Sequence, residues 1–262
     1  MGASTKKGFE KLRYIFENNL NVGLLSEEII TCSLDDDAYS VRTEMKRQDF
    51  DIYGVKDKDR TVGYVKKDEL SSGKIKEFVR KFSSEDLISD STSLVELLDI
   101  FQNREYIFIL ETNKVSKIVT IADLHKQPIR MLAFSLISLL EMYLTSVIRE
   151  VYPDDSWKDK LKEDRLKKAL EILNMRLVKN EALTLLDSTQ LSDKGVIVQN
   201  TPELLEQLGF LSKNRCKEFF KNLEDLRNNT AHSQEIIYHD NKELIKIMLQ
   251  IKNILETNTV SN

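Results

Sequence analysis

Apolar positions along this chain change their spacing more than once, and each change marks an element. Phe9, Leu12, Ile15, Phe16 and Leu20 recur at helical spacing, predicting an amphipathic helix over residues 9–25. Beyond Ile29 the pattern shortens. Asp35-Asp36-Asp37 supplies a cap for a short helix carrying Ala38, Val41 and Met45. Two β-like runs, 52–55 and 61–65, follow on either side of a polar turn at 56–60, and a helix is expected over about 75–82. The order then repeats. Ser91-Thr92-Ser93 caps a helix with Leu94, Leu97, Leu98 and Phe101, before strands at 106–110 and 115–120 joined by a turn at 111–114. A helix–strand–strand–helix unit repeated after about 55 residues implies two pseudo-symmetric modules that bury their sheets against each other.

From Gln127-Pro128 onward the pattern is helical. Pro128 suits the first turn of a long helix reaching about Tyr152. Ser135, Ser138, Glu141, Thr145 and Arg149 interrupt it at helical steps, forming one polar stripe on an apolar rod. Such a stripe faces a polar site or a partner subunit, or Glu141 belongs to a structural ion pair. Residues 131–151 also invite a membrane reading. Glu141 near the middle and Arg149 cut the clean apolar run below the ~20 residues a bilayer needs, which favours a core helix. Residues 157–187 read as helix with a break near Asn180, and 188–199 as the one non-helical stretch of this half. Thr201-Pro202-Glu203 opens a short helix stopped by Gly209. Ser212 opens another, with Cys216, Phe219, Phe220, Leu223 and Leu226 as its core stripe, and Leu244, Ile247, Met248, Ile251, Ile254 and Leu255 mark the last.

Composition narrows the function. Of 262 residues 41% are hydrophobic and 31% charged, as in a soluble, helix-rich protein. A net charge of −4 gives no global attraction to DNA or to an anionic membrane, so any nucleic-acid contact is local. Cys32 and Cys216 lie far apart without metal-ligand spacing, so neither zinc nor a disulfide framework is expected. The first eleven residues carry no secretory signal, and the cytoplasm is the expected location.

The chemistry concentrates near the C-terminus, in Leu226-Arg227-Asn228-Asn229-Thr230-Ala231-His232. Arginine holds phosphate through two parallel hydrogen bonds, and histidine moves a proton near neutral pH. Arg227 falls four residues after Leu223 and seven after Phe220, which predicts that it points to the buried side, an expensive place for an unpaired cation. Asn228 and His232 share the adjoining face if the helix continues. Lys213, Lys217 and Lys221 line a different face and supply local positive charge or only a solvated surface.

Two resemblances rest on these residues. The repeated ends, Gly63-Tyr64-Val65-Lys66-Lys67-Asp68-Glu69-Leu70 and Lys117-Ile118-Val119-Thr120-Ile121-Ala122-Asp123-Leu124, resemble the strand ends of a tandem CBS domain over 26–127. The resemblance implies an adenosine ligand such as AMP, ADP or ATP. It makes Thr120 (near phosphate) and Asp123 (on the ribose hydroxyls) the contacts in the second copy, with Lys66 and Glu69 at the corresponding places in the first. Lys117 departs from the small residue that usually opens the motif. Thr120 and Asp123 also have capping-box spacing, so a purely structural role stands beside the ligand role. Residues 128–262, an all-helical bundle whose late helix ends Arg-Asn-x-x-x-His, resemble the HEPN family. That implies a homodimer that cuts RNA without a metal or other catalytic cofactor, through Arg227, Asn228 and His232, with Glu141 on the facing helix steadying Arg227. DNA, lacking the attacking 2′-hydroxyl, is spared. The expected protein is therefore α+β, with residues 1–25 as a helix on the CBS pair, a CBS pair at 26–127 and a HEPN-like bundle at 128–262. The arrangement is similar to bacterial CBS–HEPN proteins, which implies a toxin-like or defence setting. The alternatives are a non-catalytic nucleotide sensor with an inactive HEPN-like bundle, and an interaction protein in which Arg227 and His232 cap and pair inside the core.

Overall fold

The computed structural model describes residues 14, 19–179, 184–231 and 236–257. The predicted N-terminal helix therefore lies largely outside the described residues, and so does His232. The described end of that helix, Val22–Leu24, is a single 3-10 turn. The chain divides into two compact units, one spanning Asn19–Lys126 and the other taking in Gln127 onward.

The first unit carries the repeat. Strands β1 (Glu27–Glu28) and β2 (Thr31–Ser33) precede helix α1 (Ala38–Gln48), which leads to the hairpin β3 (Ile52–Asp57) and β4 (Arg60–Lys66). The second copy has β5 (Leu87–Ser89), α2 (Leu94–Phe101), β6 (Tyr106–Glu111) and β7 (Lys114–Thr120). Asp37 and Ser93 accept the backbone N–H of Ser40 and Glu96, so each copy starts its helix with a side-chain cap. The sheets run β2-β3-β4 and β1-β7-β6-β5, with a parallel entry strand on each hairpin. Both hairpins are irregular at the same place, between Val55 and Lys56 in one and Ile109 and Leu110 in the other. An identical bulge in each copy fixes the repeat structurally as well as in sequence.

Met45, Val55, Val65 and Ile75 are fully buried in the first copy's core, while Ile29, Tyr64 and Phe108 form a second cluster drawn from both sheets. Burial, reinforced by the hydroxyl of Tyr106 3.3 Å away, pushes the Tyr64 phenol up to about 12. The helix expected over 75–82 is absent. Only Ile75–Glu77 makes a 3-10 turn, after which the backbone extends and Tyr64 and Arg80 exchange two N–H···O bonds of 2.9 Å. Gly63 makes that approach possible, since a Cβ there would meet the Arg80 carbonyl oxygen at 2.3 Å. The gain of two strand-type bonds outweighs the local helical pattern.

The second unit is helical: α3 (Gln127–Val151), α4 (Glu163–Leu177), α5 (Leu191–Gln199), α6 (Pro202–Gln207), α7 (Lys213–Ala231) and α8 (Asn241–Thr257). Helix α3 is its axis, packed by α5, α7 and α8. It is long and apolar enough to cross a membrane by composition, but 61% of its most apolar stretch is buried inside the protein. The stretch 188–199, expected to be non-helical, contains α5. Ser192, Asp193 and Gly195 look like turn residues, yet Asp193 accepts the Gln190 N–H to cap the helix, and Gly195 faces Phe220 of α7. A Cβ at Gly195 would lie 2.6 Å from the Phe220 ring. The glycine is there for contact between helices and not for a turn.

Candidate functional site

Helix α7 carries the motif, and its burial differs from the expected pattern. Cys216, Phe219, Phe220, Leu223, Leu226 and Thr230 face the core, whereas Arg227 and Asn228 are exposed. The inward stripe passes from Leu223 through Leu226 to Thr230, which leaves Arg227 one position beyond its edge. The expectation of a buried Arg227 is thereby corrected. Among the described residues, no side-chain hydrogen bond or ion pair engages its guanidinium.

The residues around it fix the helix end. Arg130 of α3, only 8% exposed, donates from Nη1 to the Asn229 carbonyl at 2.8 Å. Thr230 Oγ1 donates to the Arg227 carbonyl at 2.8 Å, and Asn229 Nδ2 donates to the Ile237 carbonyl at 3.0 Å. The Asn229 carbonyl is thus bonded from outside the helix by Arg130 and the Arg227 carbonyl from within it by Thr230, and an arginine at this end also suits the helix dipole. The bond from Asn229 to Ile237 ties the end of α7 to the chain that leads into α8. The second asparagine of the motif is therefore structural. Arg130, which makes the longest-range of these anchors, was not foreseen; the apolar pattern of α3 gives no signal for it.

Glu141 does not join this group. Its carboxylate pairs with Lys194 Nζ of α5 at 3.2 Å, and Lys194 also donates to the Thr189 carbonyl at 2.9 Å. Arg130 marks where α3 meets the end of α7, and Glu141 is eleven residues along, about 16 Å at the helical rise. The expected support of Arg227 by Glu141 is thus replaced by a structural ion pair. Burial lowers the Lys194 pKa, and Glu141 works against that shift. The rest of the polar stripe is accounted for locally. Ser135, Ser138 and Thr145 donate to carbonyls four residues earlier in α3, and Arg149 pairs with Asp187 at 2.7 Å.

In the first unit the four expected ligand contacts lie at the strand ends. Tyr106 stands opposite Thr120 in the β6–β7 register, and Lys66 Nζ lies 4.9 Å from the Tyr106 ring centroid. Lys66 of the first copy thus reaches the ring of the residue that pairs with Thr120 in the second. Asp123 accepts from the Thr120 N–H at 2.6 Å and Oγ1 at 3.1 Å, and pairs with Lys126 at 2.6 Å. Lys126 is held further by Glu27, and these two carboxylates raise its pKa against the opposing effect of burial. Asp123 therefore acts as the cap of the turn after β7, and a ligand hydroxyl would share its carboxylate with Lys126. Glu69 is gripped by Arg80 through two bonds of 2.7 and 2.5 Å. No cluster of three or more His, Cys, Asp or Glu side chains suited to a metal exists among the described residues.

No protein-family model and no curated protein matches the chain. Several solved structures are similar to part of it. The CBS domains of a transcriptional regulator from Streptococcus pneumoniae share 16% identity at a TM-score of 0.35, covering 40% of this chain and 95% of that one. A putative signal-transduction protein with CBS domains from Burkholderia ambifaria MC40-6 shares 20% at 0.32, over 37% and 79%. A hemolysin-like protein containing CBS domain of Oenococcus oeni PSU shares 12% at 0.35, over 45% and 95%.

Proposed function

We propose that this chain is a metal-independent endoribonuclease, active as a homodimer and controlled by an adenine nucleotide bound to its N-terminal pair of modules. The observation that carries this reading is Arg227, which is exposed beside Asn228 on the last described turn of α7 with no partner among the described residues. A core-pairing role requires burial and a partner, and among the described residues Arg227 has neither. An arginine held on a fixed helix end with a free fork is what phosphate capture needs.

In the proposed reaction the RNA 2′-hydroxyl attacks the adjacent phosphorus. The new O2′–P bond forms as the P–O5′ bond breaks, leaving a 2′,3′-cyclic phosphate and a 5′-hydroxyl. His232 of one protomer takes the 2′-hydroxyl proton, and the partner's copy of the same residue delivers a proton to the departing oxygen. Arg227 stabilises the charge that builds on the phosphoryl oxygens, and Asn228 orients the phosphate or the imidazole. Glu141 has no part in these steps, because its carboxylate holds Lys194. Nucleotide contacts are assigned to Lys66 and Thr120 for phosphate, with Asp123 and Glu69 as the acids for ribose. Control follows if the nucleotide has higher affinity for one dimer arrangement than for the other.

The test is cleavage of one sequence as RNA and as DNA, in chelator, with and without AMP or ATP. RNA is cut and DNA is not, and Arg227→Ala and His232→Ala each lower the rate about 10²–10³-fold. Unaltered cleavage by both variants, or none by the parent protein under any nucleotide, removes the reading.

A further inference from the structure

The first unit contains a cleft of about 510 Å³ at the opposite end of its strands from Lys66, Glu69, Thr120 and Asp123. Strands β4 and β7 begin at this cleft, with Arg60 and Lys114, and run about 20 Å away to Lys66 and Thr120. The two hairpin tips form its sides. Its back wall is the segment leading from β1 to β2, held to both sheets: Ile29 donates to the Ser116 carbonyl at 2.9 Å, and the Ile30 carbonyl accepts from Gly54 at 2.8 Å. A volume of this size is in the range of small-molecule pockets, and a wall bonded to both sheets is already in place before any ligand arrives.

Its chemistry is divided. Arg60 and Lys114 are the first residues of β4 and β7, so the internal repeat brings two cations from equivalent positions to one cleft, and Lys56 adds a third. No side-chain hydrogen bond or ion pair commits these three to another described residue. The acids of the lining, Glu28 and Asp59, make no such bond either, although both lie within reach of the same space. Ile29 and Val115 give the cleft an apolar floor continuous with the cluster between the sheets. Three cations beside two carboxylates left unpaired fit a ligand that carries both an anion and hydroxyls.

We infer that this cleft binds a small sugar phosphate, its phosphate held by Arg60, Lys114 and Lys56 and its hydroxyls accepted by Glu28. The site is separate from the nucleotide contacts proposed at the other strand ends, and it does not depend on RNA cleavage. Titration calorimetry on the full chain, with ribose 5-phosphate as the probe and ribose as its phosphate-free counterpart, tests it. Ribose 5-phosphate binds and ribose does not. The exposed double variant Arg60→Gln/Lys114→Gln weakens binding about tenfold or more with an unchanged melting curve. Equal binding by parent and double variant overturns the inference. So does the absence of binding at millimolar probe. RNA cleavage, read separately, stands or falls without affecting this result.

Discussion

Replacing Glu141 with glutamine probes the helical unit where its electrostatics are most exacting. Lys194 has a side chain only 2% exposed and bonds directly to one carboxylate and one carbonyl, from Glu141 and Thr189, with Asp187 and Asp193 adding longer-range attraction. Breaking a buried ion pair from one side costs about 3–5 kcal/mol, because the remaining charge keeps its desolvation penalty. The Glu141 side chain is 33% exposed and Lys194 retains the Thr189 carbonyl, so about 2–3 kcal/mol is expected here. Trp157, the single tryptophan, is fully buried in the same unit, so its fluorescence reports that unit's unfolding. In urea the midpoint of Glu141→Gln falls by roughly 1 M. Lys194→Met in the same chain removes the orphaned cation, and the double variant returns to within about 1 kcal/mol of the parent. A Glu141→Gln loss under about 0.5 kcal/mol, or a double variant costing the sum of the two singles, would show that the pair does not carry this weight.

Four further outcomes follow from the same contacts. Burial holds the Lys194 pKa below its ordinary 10.5, so in the alkaline range just under that value the unfolded chain binds more protons than the native one. Stability at this position therefore rises with pH there, and Lys194→Met abolishes that part of the slope in urea titrations followed by Trp157. Asp187, despite its burial, is held below the usual carboxylate range by Thr184 and Arg149, so its contribution is present above pH ~4 and is lost as pH falls through its native pKa. Acid unfolding of Asp187→Asn is correspondingly flatter. Gly195→Ala sets a Cβ against the Phe220 ring and costs about 1–2 kcal/mol net of its helix-propensity gain; a stabilised variant would contradict the packing. Burial pushes the Cys32 thiol up to about 11 and Cys216 up to about 12, so an aromatic disulfide reagent at pH 8 labels both only at the rate of unfolding.

The hairpins of both copies, their helix caps and the long helices were legible because each spans enough residues to show a period. Strands β1, β2 and β5 were not, since two or three residues carry no alternation, and their pairing is set by the partner strand. The stretch from Ile75 has the apolar content of a helix but is drawn out by its bonds to Tyr64. Helix α5 was hidden by Ser192, Asp193 and Gly195, whose turn chemistry serves here as a cap and a close contact. The candidate site was legible as residue types and only partly as places. Counting from Leu223 put Arg227 on the buried side, while the actual stripe turned through Leu226 to Thr230. Polarity alone identified Glu141 as a partner for something, but only the fold supplies Lys194. The Thr120–Asp123 spacing was readable as a cap, and a cap is what it forms.

The central claim is that Arg227 and His232 direct a ribose hydroxyl onto its own neighbouring phosphate without a metal. Its most direct test is the end group left after incubation in chelator of matched strands carrying 2′-hydroxyl or 2′-O-methyl at every position. The hydroxyl strand is expected to yield 2′,3′-cyclic phosphate ends, the methylated strand to stay uncut, and His232→Ala to lose both product ends. Cleavage of the methylated strand, or cyclic ends formed equally well by the His232→Ala protein, would contradict it.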